Sequence, residues 1–224
     1  MNNQGLVLKL ELLGDAVFGR GDGIAGLVDQ DVAHDALGLP FLHGRGVKGL
    51  LRARCQEVLS ALQPSLAPDR MQHFRDTEAY LFGRRGSDLD ADAALAFGPA
   101  CLSDQLSRAL QPLIDARRLT ADDVLTALTS IRRQTSIDEF TGAAAEDTLR
   151  SVRALRSGLV FRAPVYAPAD LDARARGLLA ASVMAVRHVG ARRARGMGQA
   201  RATLIQNGQD VTLNWLGEFE KELA

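Results

Sequence analysis

Residues 167–213, "APADLDARARGLLAASVMAVRHVGARRARGMGQARATLIQNGQDVTL", decide the fold. Asp170 and Asp172 sit where acids complement a helix dipole, and the apolar run that follows predicts a helix as far as Val189. "QARATLIQNGQDVTL" predicts a hairpin turned by Asn207-Gly208. Between them lies Gly190–Arg201, with four arginines and three glycines in twelve residues. Repulsion among the arginines costs free energy unless a negative group sits among them. Glycine serves where backbone takes unusual dihedrals or lets another group come close. The composition points to an anion held against the main chain.

Working outward, the same strand–helix–strand order recurs upstream. Residues 5–13, "GLVLKLELL", alternate and predict a strand. Residues 14–28 hold five glycines without periodicity and read as a loop. Asp29–Asp35 reads as a short extended piece, and Pro40 disfavours helix before it. From Gly46 to Leu62, apolar residues recur every three or four positions, as in a helix, and Arg45, Lys48 and Arg52 line an adjacent stripe. The start of this helix, near Gly44 to Lys48, offers unpaired N–H groups to an anion. A shorter helix follows, ending near Gly83, then a polar loop and a strand in "ALAFGPACL". "TADDVLTALTSIRR" (120–133) predicts a helix capped by Thr120. "VRALRSGLVFRAPVYA" (152–167) predicts one long strand or a hairpin around Ser157-Gly158, and the tail a short helix. Strand, helix, strand, taken twice, is the order of a ferredoxin-like α+β fold.

The 224 residues are 46% hydrophobic, enough for a packed core, and only 5% aromatic, which argues against base stacking as the main binding mode. Lys plus Arg and Asp plus Glu both total 27, so no generally basic coat exists. Locally the charge is segregated. No carboxylate lies between Asp172 and Asp210, a span holding Arg174, Arg176, Arg187, Arg192, Arg193, Arg195 and Arg201. None lies between Asp35 and Glu57, which encloses Arg45, Lys48, Arg52 and Arg54. Two cysteines make no disulfide framework, and a reduced, cytoplasmic setting is expected. Neither a signal peptide nor a membrane span is expected.

"HGRGVKG" lacks the Gly-Lys-Ser/Thr of a phosphate loop, and "GMGQARATLI" runs into a strand where a dinucleotide fingerprint needs a helix. His34, His43, His73 and His188 show no metal spacing. His43, at a helix start among glycines, is placed to meet a phosphate. Cys55 falls on an apolar helix stripe and reads as core. "GLVDQDVAHD" carries Asp29, Asp31 and Asp35. The ordinary reading is a set of solvated loop carboxylates. The sharper one sets a carboxylate beside a phosphodiester, holding a metal ion or assisting a hydroxyl nucleophile.

Three segments carry a resemblance to a known family: "FGRGDGIAGLVDQDVAHDALGLPFLHGRGVKGLLR" (18–52), "RRQTSIDEFTGAAAEDTLRSVRALRSGLVFRAPV" (132–165) and "GARRARGMGQARA" (190–202). In this order they resemble the RAMP superfamily of CRISPR-associated proteins, above all the repeated backbone subunit of type III (Csm/Cmr) effector complexes. The resemblance implies a modified ferredoxin-like, RRM-like palm at 1–60 and 150–224 of a single RAMP domain. Insertions would fill about 61–149, with a thumb at about 131–150. It implies stacking of copies along a CRISPR RNA, with target RNA and other type III subunits as partners. It places the cleavage aspartate at Asp29, acting with a divalent metal such as Mg or Mn, with the neighbouring 2′-hydroxyl of the target as nucleophile. It assigns Arg45, Lys48 and Arg52 to the guide-contacting helix, and Arg192, Arg193, Arg195, Gly196 and Gly198 to an RNA-backbone loop. The family often has Pro-Gly-Ser-Ser where this chain has His43-Gly44-Arg45-Gly46, which exchanges neutral hydroxyl contacts for a charge-assisted one. Two alternatives remain open: a structural RNA-binding subunit, and a CRISPR RNA processing endonuclease using His34 or His43.

Overall fold

The computed structural model describes residues 5–19, 23, 28–84, 93–134 and 150–223. Strand β1, Leu6–Leu12, has leucine at every second position, and all four leucines are buried. Such alternation commits one face of a strand to the core, and burying each leucine contributes about 2 kcal/mol. β1 runs antiparallel to both β5 (Val160–Tyr166) and β6 (Ala200–Gln206). The sheet is completed by β2 (Ala96–Phe97) beyond β5 and β7 (Gln209–Asp210) beyond β6, in the order β2-β5-β1-β6-β7. Its first four strands have the antiparallel arrangement of the ferredoxin-like fold, as the element order predicted.

Phe161, Ala163 and Val165 of β5 and Ala200, Ala202 and Leu204 of β6 join the β1 leucines in the core. Helix α1, Gly44–Leu62, buries Val47, Leu51, Cys55 and Leu59, spaced four apart on one face. Helix α5, Ala173–Met184, starts on Asp172, whose side chain accepts from the Ala175 N–H at 2.7 Å. Eight of the twelve residues of α5 are buried, because α1, α2 (Pro68–Phe82) and α6 (Thr212–Leu223) all pack against it. Trp215 and Phe219 of α6 are buried there, and Phe219 meets the Phe74 ring edge-on at 5.5 Å. Asn207 and Gly208 both take positive φ, as the predicted β6–β7 turn requires.

Three local expectations need correction. Helix α4 spans only Ala121–Leu128; residues 129–133, read as its continuation, belong to strand β3, Thr129–Gln134. The β-branched Thr129 and Ile131 favour strand, and β4 (Arg150–Leu155) supplies the pairing. The Ser157-Gly158 turn does not close a hairpin between its flanking strands. β4 pairs with β3 in a separate two-stranded sheet while β5 pairs with β1, so the turn carries the chain from one sheet to the other. Finally, Asp104–Asp115 forms helix α3, capped by Ser103, where no element was predicted. Most of the expected thumb, 135–149, lies outside the described residues, as do most of the polar loop after Gly83 and much of the first glycine-rich loop.

Candidate nucleic-acid interface

The three carboxylates after the first glycine-rich loop have separate surroundings. Asp35 closes a turn: its Oδ1 accepts from the N–H groups of Leu37 and Leu39, both at 2.9 Å. Asp31 is 1% exposed, and its Oδ1 accepts from Arg153 Nε at 2.9 Å. Asp29 is exposed and has no ion-pair partner among the described residues. Its Oδ2 accepts from the Ser151 N–H at 2.6 Å and from Ser151 Oγ at 3.3 Å. Asp29 and Asp35 are both exposed with one carboxylate oxygen engaged, whereas Asp31 is shut away from any ligand.

Asp29 is held by a short parallel ladder. The Asp29 N–H donates to the Ser151 carbonyl at 2.9 Å, the Arg153 N–H donates to the Gln30 carbonyl at 3.0 Å, and Gln30 pairs with Val152. The segment thus continues the small β3–β4 sheet. Its partners lie 122 residues along the chain, so no local pattern in the sequence shows the pairing. Ser151 and Arg153 are the residues that sequence reasoning missed. Their alternation in "RSVRAL" was the available signal, but it needed a partner strand to be interpretable.

The glycine–arginine loop lies beside this ladder. Arg192 Nε donates to Gln30 Oε1 at 3.3 Å, and Ala191 pairs with Val17. Arg193–Arg195 form a single tight helical turn, entered through Arg192 at φ 60° and left through Gly196. Arg193, Arg195 and Gly196 are exposed. Gly198 is buried and has a structural reason: at φ +79°, a Cβ there would stand 2.0 Å from the Val189 carbonyl oxygen. Its pliability is therefore used inside the chain. Of the three glycines in this loop, only Gly196 has open space where a side chain would be.

The start of α1 adjoins the other end of the Asp29–Asp35 segment, where the Phe41 N–H donates to the Ala33 carbonyl at 3.0 Å. His43 is the N-cap residue, but its side chain makes no capping bond, and no acid lies in the first turn. The first N–H groups are thus left without a side-chain acceptor, the condition that favours an anion. His43 and Arg45 are exposed, while Lys48 is half-buried. The His43 ring packs edge-on to Phe41 at 4.8 Å. Arg52 turns inward, with its Nε 3.5 Å from Glu78 of α2, so it braces two helices.

Charge segregated along the chain is partly neutralised in space. Arg174 meets Glu222 at 3.0 Å, and Arg176 makes a two-pronged contact with Glu218 at 3.0 and 3.1 Å, so both tie α5 to α6. Arg54 pairs with Glu57. Within the two acid-free spans the exposed arginines are Arg45 at the helix start, Arg193 and Arg195 in the loop, and Arg187 and Arg201.

The thiols offer no nucleophile. Burial pushes Cys55 up to about 12, and it raises Cys101 as well. His34 Nδ1 lies 3.0 Å from the Asp35 carbonyl oxygen and makes no carboxylate contact among the described residues. Nor do the described residues contain a cluster of three metal-ligating side chains. Asp29, exposed and adjoining the glycine–arginine loop through Gln30, suits the kind of site in which a protein gives a divalent ion one carboxylate and phosphates and water complete the shell. No helix among the described residues is long and apolar enough to cross a membrane.

The family model described as "RAMP superfamily" matches residues 9–201. No curated protein matches the sequence at a significant level. Among solved structures, a chain of "Type III-B Cmr-beta Cryo-EM structure of the Apo state" superposes with TM-score 0.61 at 11% identity, covering 92% of this chain and 99% of that one. A chain from the cryo-EM structure of "Type III-B Cmr-beta bound to cognate target RNA" gives TM-score 0.59 at 12% identity, covering 89% and 96%. At such identities the likeness establishes a shared fold.

Proposed function

The chain belongs to the RAMP superfamily, and from that premise we propose that it is an RNA-binding subunit of a type III CRISPR effector complex. In this reading it grips a CRISPR RNA by its phosphates and cuts the paired target RNA at Asp29. Other effector subunits and further copies of itself along the guide are its partners. The observation that carries the reading is local: an exposed carboxylate, pinned by Ser151, adjoins Gln30, which receives Arg192 from the glycine–arginine loop. Acid and cations therefore share one short stretch of backbone, as cleavage of a bound phosphodiester needs.

Arginines and helix-terminal N–H groups position a sugar-phosphate strand without reading its sequence. That suits a subunit whose specificity comes from guide–target pairing. Arg45 and His43 would meet the strand at the start of α1, and Arg192, Arg193 and Arg195 at the loop. Asp29 would hold a divalent ion such as Mg or Mn by one carboxylate oxygen. When bound, that ion would offset negative charge developing at the scissile phosphate. Ser151 keeps the carboxylate at the rim of the ladder, while the loop and the helix start hold the strand in register.

The two bonds from Ser151 to Asp29 give that carboxylate a structural use in closing the ladder, which favours a second reading, a subunit that binds RNA without cutting it. The two separate in the assembled complex with magnesium or manganese present. Cleavage at regular spacing, lost in Asp29→Ala with target binding retained, supports the first. Intact target RNA in the parent complex supports the second, and cleavage persisting in Asp29→Ala removes Asp29 from the chemistry.

A further inference from the structure

The buried pair Asp31–Arg153 has no part in the chemistry above, yet it lies one rung from Asp29. Its side chains are 1% and 4% exposed. Asp31 Oδ1 accepts from Arg153 Nε and from the Val32 N–H, both at 2.9 Å, but its Oδ2 is buried with no hydrogen-bond partner among the described residues. On the far side, Arg153 Nη1 donates to Thr129 Oγ1 at 3.3 Å, and Thr129 in turn bonds the Leu125 carbonyl at 2.6 Å. A buried ion pair with one oxygen unsatisfied is a poor device for stability, because desolvation offsets the attraction. It is a good device for register. Asp29 and Asp31 grip Ser151 and Arg153 with the same offset of 122 residues. A slip of one residue would leave both acids unpaired and would turn Asp29 to the opposite face.

We propose that Asp31 and Arg153 are positioning residues: the pair locks the ladder in register and so fixes where Asp29 presents its carboxylate. The chain from Leu125 through Thr129 and Arg153 to Asp31 ties that position to the end of α4. This inference rests on reading Asp29 as the cleavage residue, so its test carries a readout that does not depend on cleavage.

The double variant Asp31→Leu with Arg153→Met removes both charges and leaves no orphan ion. In the full chain, amide hydrogen exchange at Ser151 and Arg153 should speed up at least about tenfold, while amides of β1 and α5 keep their protection. In the assembled complex, target RNA binding should stay within about twofold, while the cleavage rate constant falls about 10- to 100-fold, as misplacement of a reacting group produces. Arg153→Lys, which keeps a cation against Asp31, should recover the Ser151 protection and about tenfold of the missing rate. Should the double variant not fold, Asp31→Asn set against Arg153→Lys gives the same comparison. Exchange that accelerates uniformly, or a Ser151 amide as protected as in the parent, overturns the register lock. Localised acceleration without loss of rate overturns the positioning role. If Asp29→Ala itself leaves cleavage intact, the catalytic reading fails while the exchange result still decides the lock.

Discussion

Alanine placed separately at Gly198 and Gly196 distinguishes two uses of glycine in one loop. Both residues take left-handed backbone, at φ +79° and +74°, which costs a residue bearing a Cβ about 1–2 kcal/mol. At Gly196 nothing lies within 4 Å of the added methyl, so that strain is the whole penalty. At Gly198 the methyl would stand 2.0 Å from the Val189 carbonyl oxygen. Relief must move a segment in which the Val189 N–H donates to the Gly198 carbonyl and the Gly198 N–H to the Asp15 carbonyl, both at 2.7 Å. Overpacking of this kind adds about 1–3 kcal/mol. For a chain of this size that difference lowers Tm by a further about 2–12 °C in Gly198→Ala relative to Gly196→Ala. Circular-dichroism melts of the two variants under identical buffer measure it. Gly196→Ala should instead show its effect as weaker binding of single-stranded RNA, since of the two only Gly196 leaves open space beside the backbone. Equal melting temperatures, or a larger loss at Gly196, would refute the assignment of Gly198 to the Val189 contact.

Three further variants and one pH dependence have expected outcomes. Arg45→Glu combined with Arg193→Glu should weaken RNA binding and flatten the slope of log affinity against log salt by about 0.7 for each phosphate no longer neutralised; Arg174→Glu, facing Glu222 at 3.0 Å, should lower Tm and leave the slope unchanged, and a flattened slope there would contradict the division between surface and bracing arginines. Thr120→Ala removes the capping box with Asp123 and should lower Tm by about 2–4 °C, the usual effect of a missing N-cap in a chain of this size. The Thr120 hydroxyl and N–H hold the Asp123 carboxyl below its ordinary 3.8, so the box stabilises fully above that value and loses its effect as pH falls through the lower folded value. The gap in Tm between parent and variant should therefore be full at neutral pH and narrow on acidification below 3.8.

The ferredoxin-like sheet was legible because its signals are local. Alternating leucines mark β1, Asn207-Gly208 marks a hairpin, and Asp172 marks the start of α5. The small sheet was not, because nothing around Thr129–Gln134 announces a partner beginning at Arg150, and early acids with good spacing made helix the natural continuation. Of the candidate site, the glycines marked Asp29, Asp31 and Asp35 together and the family resemblance singled out Asp29, but their different surroundings came only from tertiary neighbours. The acid-free spans overstated the cationic surface for a like reason: Glu78, Glu218 and Glu222 lie far along the chain but close in space to Arg52, Arg176 and Arg174.

The turn at Ser157-Gly158, passing the chain between two sheets, has a consequence for how such a protein can diversify. Asp29 is fastened to β4, on the near side of that crossing, and β4 reaches the central sheet through a single short connection and the Ala16–Leu155 pairing. Asp29 bonds Ser151, next to Arg150, at the end of β4 away from that crossing, so a change at Arg150 reaches the acid before it reaches the central sheet. Variation in this strand pair can therefore leave the central sheet untouched and still shift the acid, since the crossing steadies only the opposite end of β4.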